Sequence, residues 1–479
     1  MKRYLIIETF PNTPHIETSV EIAINLKNRN NKVFFFWCGY DLPWTEWQLP
    51  LYKKMFSFSF ENKIKKLENY LISKGIEVIP KINLNNFQYD TINYTVNSFH
   101  NYEKLKYFKY KNKVPIGMAV YSSLVSKSHS LQFKNFRDKI KPALKSSCLV
   151  FERSNNVIQE INPNTVITYN CRFAISRPII TAAKLNKKKI LIHERGSDLN
   201  KYEIFTHDIH DNDYIYKKCI HHWKRNQNYK KKINIAKRYF NLVENKKFIS
   251  RVGYDFEKKT INKINFNKKK RIVTYICSSD YEYSATHFDI NKYYFSKYWS
   301  DQINTLKSVI KIIKNDSNII LYIKSHPNFS LKNDQEANLK KLQTDNVKYL
   351  SVDDSQDTYE LIRNSDLIIS FGTSLEIYAV YLNKKVISFF KSFYFKFNFI
   401  FHPKNEKTLR KFIYGSSKIN LNKNKRLNLY KIGYYLMTFG INFKNYKPIS
   451  FSKGYLKQVR IDHYGFFSLP MNFICRYFK

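Results

Sequence analysis

The chain is poor in glycine, cysteine and acid. Its 11 glycines among 479 residues nowhere form GxxxxGK(S/T) or GxGxxG, which excludes a P-loop and a dinucleotide fingerprint. The six cysteines, Cys38, Cys148, Cys171, Cys219, Cys277 and Cys475, are scattered without a CxxC. That excludes a disulfide framework and points to free thiols in a reducing compartment. No uncharged apolar run reaches transmembrane length, and the apolar stretch inside residues 1–8 is too short for a signal peptide. A cytoplasmic protein is expected.

Acid is scarce enough to set the charge: 82 Lys and Arg face 38 Asp and Glu, a net +44. Such an excess draws anionic partners, whether nucleic acid, anionic lipid or acidic glycan. Abundant Asn, Ile, Tyr and Phe alongside it are equally the mark of AT-rich coding. Hydrophobic residues make up 43% of the chain, so it folds despite its charge, and its length predicts two domains rather than one core.

Apolar runs alternate with helical periodicity. Residues 4–7, a helix over 18–28 and residues 33–37 predict a Rossmann-like opening. A helix over 64–74 and a strand over 76–79 follow. Residues 90–147 show no clear period. The pattern resumes with a helix over 148–160, strands over 165–168 and 190–193 around a helix over 177–185, and a basic helical stretch over 213–244. The polar run 258–270 reads as a linker. From residue 271, strands over 272–276, 319–323, 347–350, 367–369 and 386–389 alternate with helices, which predicts a second parallel, doubly wound sheet. The expected organisation is an N-terminal domain over 1–257, a C-terminal domain over 271–415, and a helical or irregular extension over 416–479.

Polar clusters fall at predicted strand ends, where open α/β sheets bind phosphates and nucleotides. After the strand at 319–323 come Lys324, His326, Pro327 and Asn328. Proline holds the preceding residue extended, so His326 is presented at the rim, where it can donate to a phosphate. After 367–369 come Gly372, Thr373, Ser374 and Glu376, with hydroxyls and helix-start amides for phosphate and a carboxylate for ribose; an ordinary helix cap has the same composition. Ser278 and Ser279 follow the strand at 272–276 and could contact a diphosphate. In the N-terminal half, Glu194 ends a strand before Gly196, as a candidate general base or the partner of a surface ion pair, with His193 and Asp198 as lesser substitutes. His15 and Glu17 open the first helix, as acceptor-side groups or as a helix start with dipole-matched acid. The histidines and cysteine at 207, 210, 219, 221 and 222 match no zinc-finger spacing, and no metal is expected. The aromatic-basic run 389–401 reads either as a membrane-facing patch or as a buried strand with a solvated basic face.

Glu194-x-Gly196, His326-Pro327 and Thr373-Ser374, in that order, resemble the acidic-x-Gly, HP and Ser/Thr motifs of bacterial sialyl-, polysialyl- and Kdo-transferases of capsular polysaccharide synthesis. Ser278 to Glu282 and Gly372 to Glu376 look similar to the same group. The resemblance implies a GT-B-like α/β fold, two Rossmann-like domains with parallel sheets facing across a cleft, and a metal-independent glycosyltransferase. By resemblance, Glu194 is the base-like carboxylate, His326 contacts the donor phosphate, and Thr373 and Ser374 bind phosphate. Where the family often carries a second acid, this chain has Arg195. The expected partners are a nucleotide sugar, with a CMP-linked donor as one form, a glycan or lipid-linked acceptor, and an anionic surface at the inner face of the membrane; no cofactor is expected beyond the donor as co-substrate. Related segments occur in non-hydrolysing nucleotide-sugar epimerases and polyol-phosphate transferases. Charge and aromatics alone would also suit a nucleic-acid-binding protein, but no RRM, KH or zinc-finger signature accompanies them.

Overall fold

The computed structural model describes residues 1–47, 53–82, 101–225, 227–245, 264–327, 334–352, 354, 356–416, 419, 421–450, 453–457 and 459–462. The chain divides into two compact units. Residues 1–128, 132–209 and 439–479 form the first; residues 129–131 and 210–438 form the second.

The first unit contains β1 (Arg3–Glu8), β2 (Lys32–Trp37), β3 (Glu77–Ile79), a small hairpin of β4 (Lys109–Tyr110) and β5 (Val114–Pro115), and then β6 (Thr165–Tyr169), β7 (Lys189–Arg195) and β8 (Lys201–Phe205). The apolar runs of β1 and β2 are buried on both faces, as strands inside a parallel sheet must be. β1 pairs in parallel with both β2 and β6, and the order β3-β2-β1-β6-β7 reverses direction between β1 and β6. Helix His15–Lys27 packs Ile16, Val20 and Ala23 against this sheet.

The second unit is built on β9 (Arg271–Ile276), β10 (Ile319–Lys324), β11 (Val347–Leu350), β12 (Leu367–Ser370) and β13 (Lys385–Ser388). All pairings are parallel, and the order β11-β10-β9-β12-β13 reverses between β9 and β12. Both units are therefore Rossmann-like, in agreement with the expected α/β class.

The chain then returns. Helix Lys423–Thr438 packs on helix Tyr229–Glu244 inside the second unit, with Trp223, Ala236 and Tyr434 in one cluster. After it, β14 (Ile441–Asn442) adds antiparallel to β8 of the first unit, followed by a meander of β15 (Tyr446–Ser450), β16 (Lys453–Leu456) and β17 (Val459–Asp462). Buried Glu21 holds this return, accepting from the backbone N–H groups of Lys444 at 2.8 Å, Asn445 at 2.7 Å and Tyr446 at 3.0 Å.

This organisation differs from the expected one. The units divide after Ile209 and after Thr438, not at 258–270, because the basic helices 212–225 and 229–244 bury an apolar stripe within the second unit. Residues 258–263 lie outside the described residues, and Ile264 and Phe266 pack beside Tyr322 of β10. Of the two readings of the aromatic-basic run, the buried one holds: Phe389, Phe390, Tyr394, Phe397 and Phe399 are buried and fill the second unit.

Candidate functional site

Three loops of the second unit end at one rim. Ile276 of β9 is level with Lys324 of β10 on one side and with Ser370 of β12 on the other. Ser278, His326 and Gly372 each lie two residues beyond that row, beside the strand-order reversal. The Tyr283 hydroxyl donates to the Gly372 carbonyl at 2.7 Å and ties two of the loops together. Gly372 has φ +85°, a left-handed conformation that disfavours any side chain.

The candidates there fall into two groups. Pro327 is exposed, His326 and Thr373 are half-buried, and Ser374 is exposed without a capping hydrogen bond. These can meet a ligand. Burial pushes the His326 imidazole down to about 4, so it is neutral near pH 7 and acts there as an N–H donor, not as a cation. Asn328 lies outside the described residues.

Other candidates turn inward. Lys324 is buried and donates to the Ser351 carbonyl at 2.8 Å, so its ammonium braces the neighbouring loop. Glu376 is wholly buried. It accepts from the Ser370 hydroxyl, from the Gly372 N–H at 2.9 Å and from the Ser388 hydroxyl at 2.8 Å, which replaces the expected ribose contact with a role in shaping the Gly372 turn. Burial raises its carboxyl to about 7. Ser278 is clamped through its backbone by Gln302, which accepts from its N–H at 2.7 Å and donates to its carbonyl at 2.8 Å. The Ser279 hydroxyl is buried with no hydrogen-bond partner among the described residues, an orphan that a ligand oxygen would satisfy.

Asp280, in the first turn after Ser279, adds a titrating group. Burial and then the charge of Asp301 raise its carboxyl to about 7. Below that value it is neutral; above it, it repels an anion. Affinity for inorganic pyrophosphate, measured by calorimetry from about pH 6 to about pH 8, should therefore weaken with rising pH more steeply in the native protein than in Asp280→Asn. Because the ligand titrates identically with both proteins, the difference between the two profiles isolates Asp280.

In the first unit, Glu194 is half-buried near the end of β7. It accepts from the Asn170 amide at 3.0 Å and from the Arg195 N–H at 2.9 Å, in place of the expected surface ion pair. Asn170 is fixed as a donor here, because its own oxygen accepts from the N–H groups of Cys171 and Arg172 at 2.7 and 3.0 Å. Gly196 follows where β7 turns into antiparallel β8. A Cβ there would lie 2.5 Å from Lys201 Cβ, so close approach between the strands demands glycine.

His15 stacks on Tyr169 with ring centroids 3.8 Å apart, and Tyr169 is level with His193 across the sheet. Burial and then the Glu194 charge push the Tyr169 phenol well above its ordinary range. Glu17 is not an acceptor-side group. It is buried in an ion pair with Lys63 at 2.7 Å.

Two residues escaped sequence reasoning. Buried Glu8, at the end of β1, accepts from the Ser19 hydroxyl at 2.7 Å and lies 3.3 Å from His193 Nε2; that nitrogen is also 2.7 Å from Ser19 Oγ. The pointer to Glu8 was its place after an apolar strand, while Ser19 sat unmarked inside a helix.

Among the described residues no three His, Cys, Asp or Glu side chains converge as metal ligands, and no helix is long and apolar enough to cross a membrane. His222 instead bonds the Thr438 hydroxyl at 2.8 Å, and Cys219 donates to the Lys431 carbonyl at 3.6 Å.

No family model and no curated protein matches the chain. Among solved structures, it is similar to the Thermosulfurimonas dismutans KpsC beta Kdo 2,4 transferase, with 14% identity and a TM-score of 0.37 over 57% of this chain and 79% of that one. It is similar to S. aureus MnaA in a co-structure with UDP, with 11% identity and a TM-score of 0.29 over 92% and 94% of the two chains. Acinetobacter baumannii MurG matches with 10% identity and a TM-score of 0.26 over 91% and 95%. At such values shared chemistry does not follow from likeness.

Proposed function

We propose that the chain is a glycosyltransferase that moves a sugar from a nucleotide donor bound on the second unit to a hydroxyl of a glycan acceptor bound on the first. One observation carries this reading: the ends of β10, β9 and β12 are level beside the reversal of strand order, so His326, Ser278 and Gly372 share one rim. Doubly wound sheets take phosphate and ribose at that place.

In the reaction, the acceptor oxygen bonds to the anomeric carbon as that carbon's bond to the phosphate oxygen breaks. Glu194 takes the hydroxyl proton. The charge left on the phosphate is met by the N–H of neutral His326 and the hydroxyls of Thr373 and Ser374. The Ser279 hydroxyl completes this donor set.

A thermal-shift screen against CMP, CDP, UDP and GDP tests the donor site. One nucleotide at a hundredfold excess over its Kd should stabilise the protein by about 2.7 kcal/mol, and His326→Ala should reduce that shift. No response to any of the four would remove the proposal. Conversion of a nucleotide sugar with no acceptor present would assign an epimerase instead.

A further inference from the structure

The first unit holds a recess of about 240 Å³ walled by Trp37, Tyr40, Trp47 and Phe60, with Asp41 and Glu61 at it. Trp37 is the last residue of β2 and is level with Glu8 of β1. The Trp47 indole donates to the Thr9 carbonyl at 3.1 Å. The recess therefore belongs to the carboxyl rim of the first sheet, where doubly wound folds take ligands.

Its walls are set by packing. Trp37 and Tyr40 meet edge to face at 6.3 Å, and Trp47 and Phe60 do so at 4.9 Å. Gly39 carries no side chain where a Cβ would sit 2.4 Å from the Trp37 ring, so the indole occupies the space that any other residue here would fill. Trp37 and Phe60 are almost wholly buried and form the floor, while half-buried Tyr40 and Trp47 present aromatic surface to the recess.

The charge is opposite to that of the whole chain. Net charge is +44, yet Asp41, Glu61 and Glu68 all bear on the Tyr40 phenol, which burial, then Glu68 and then Glu61 push upward. Lys81 pairs with Asp41 and lies over the Tyr40 ring, and Lys65 faces Glu68; Glu61 has no cation assigned to it among the described residues.

Aromatic faces beside carboxylates suit a pyranose: its C–H face packs on the rings and its hydroxyls donate to the acids. An anionic substituent would be desolvated against like charge. We propose that this recess is a subsite for a neutral or amino-bearing sugar ring of the acceptor glycan, and that it rejects acidic sugars. Its acceptor role rests on the transferase reading; its sugar binding does not.

The probes are methyl glucoside, methyl glucosaminide and methyl glucuronide, which differ at one group, offered to the full chain and followed by saturation-transfer NMR and tryptophan fluorescence. The first two should bind, with the glucuronide at least about tenfold weaker, and Tyr40→Ala should lower binding by at least about tenfold, equivalent to about 1.4 kcal/mol. The exposed pair Asp41→Asn and Glu61→Gln, which spares the core, should narrow the gap between glucoside and glucuronide. No binding of the glucoside and glucosaminide, equal binding of the glucuronide, or binding untouched by either variant would overturn the subsite. A nucleotide thermal shift on the same samples separates the two readings. Sugar binding without any nucleotide response keeps the sugar site and overturns only its acceptor role, whereas a nucleotide response without sugar binding overturns the site and leaves the transferase standing.

Discussion

Glu194→Ala should lower glycosyl transfer by about 10²- to 10⁴-fold, and His326→Ala by about 10²- to 10³-fold, measured as nucleotide release in single turnovers with saturating donor. The two losses should differ in kind. A general base acts through its carboxylate, so added formate should restore part of the activity of Glu194→Ala. Glu194→Gln is the poorer probe. Asn170 is locked as a donor by Cys171 and Arg172, and the Arg195 N–H is a donor too, so the NH₂ end of the substituted amide would face another donor. That mismatch costs about 1–3 kcal/mol and would confuse stability with chemistry.

His326 calls for the opposite control. With its imidazole held down at about 4 by burial, it serves as a neutral donor across the working range. His326→Asn or His326→Gln should therefore retain part of the rate that His326→Ala loses, and the pH profile between about pH 5 and pH 8 should show no ionisation belonging to His326. Full transfer by both alanine variants would end the mechanism.

What the sequence disclosed was periodic and local. Strands such as 347–350 and helices such as 177–185 were legible to the residue, because buried apolar runs between turn residues have few other solutions. The ends of the strands expected at 272–276, 319–323 and 367–369 likewise located the Ser278, His326 and Gly372 loops. Side-chain direction was not legible. Glu376 and Ser374 sit two residues apart in one turn, yet one is buried and the other exposed. Composition gives both as helix-start polar residues, and only the packing of Ser370 and Ser388 beneath the turn decides which faces inward. Lys324 was misread for the same reason, since its ammonium finds a carbonyl across the sheet.

Long-range closure left even less trace. β14 has two residues and its pairing partner lies far earlier in the chain, so no local pattern announces that the C-terminal segment rejoins the first sheet. Helix Arg137–Ile161 carries Pro142 inside it, and a proline inside a helical pattern reads as a boundary. The expected helix begins only at residue 148, because residues 90–147 show no clear period.

The strongest stability effect should come from Lys63, a residue with no mark in the sequence. Its side chain is 2% exposed, and its ammonium lies 2.7 Å from Oε1 of Glu17, whose side chain is wholly buried, and also donates to the Pro11 carbonyl at 2.7 Å and the Thr13 hydroxyl at 2.9 Å. Thr13 in turn donates to Glu17 at 3.0 Å. Lys63→Met leaves a buried carboxylate with one hydroxyl donor and should cost about 3–5 kcal/mol, read as a lower denaturation midpoint for the first unit in the fluorescence of Trp37, Trp44 and Trp47. Adding Glu17→Leu should recover most of that loss, because the uncompensated charge is then gone, although the Pro11 carbonyl stays without its lysine. A pair that mattered through its charge in catalysis would behave differently: activity would fall in Glu17→Leu plus Lys63→Met even after stability returned. Recovery of both together would show that Glu17 and Lys63 serve to fix the loop after β1, and would leave Glu194 as the one carboxylate of the first unit proposed to touch the acceptor hydroxyl.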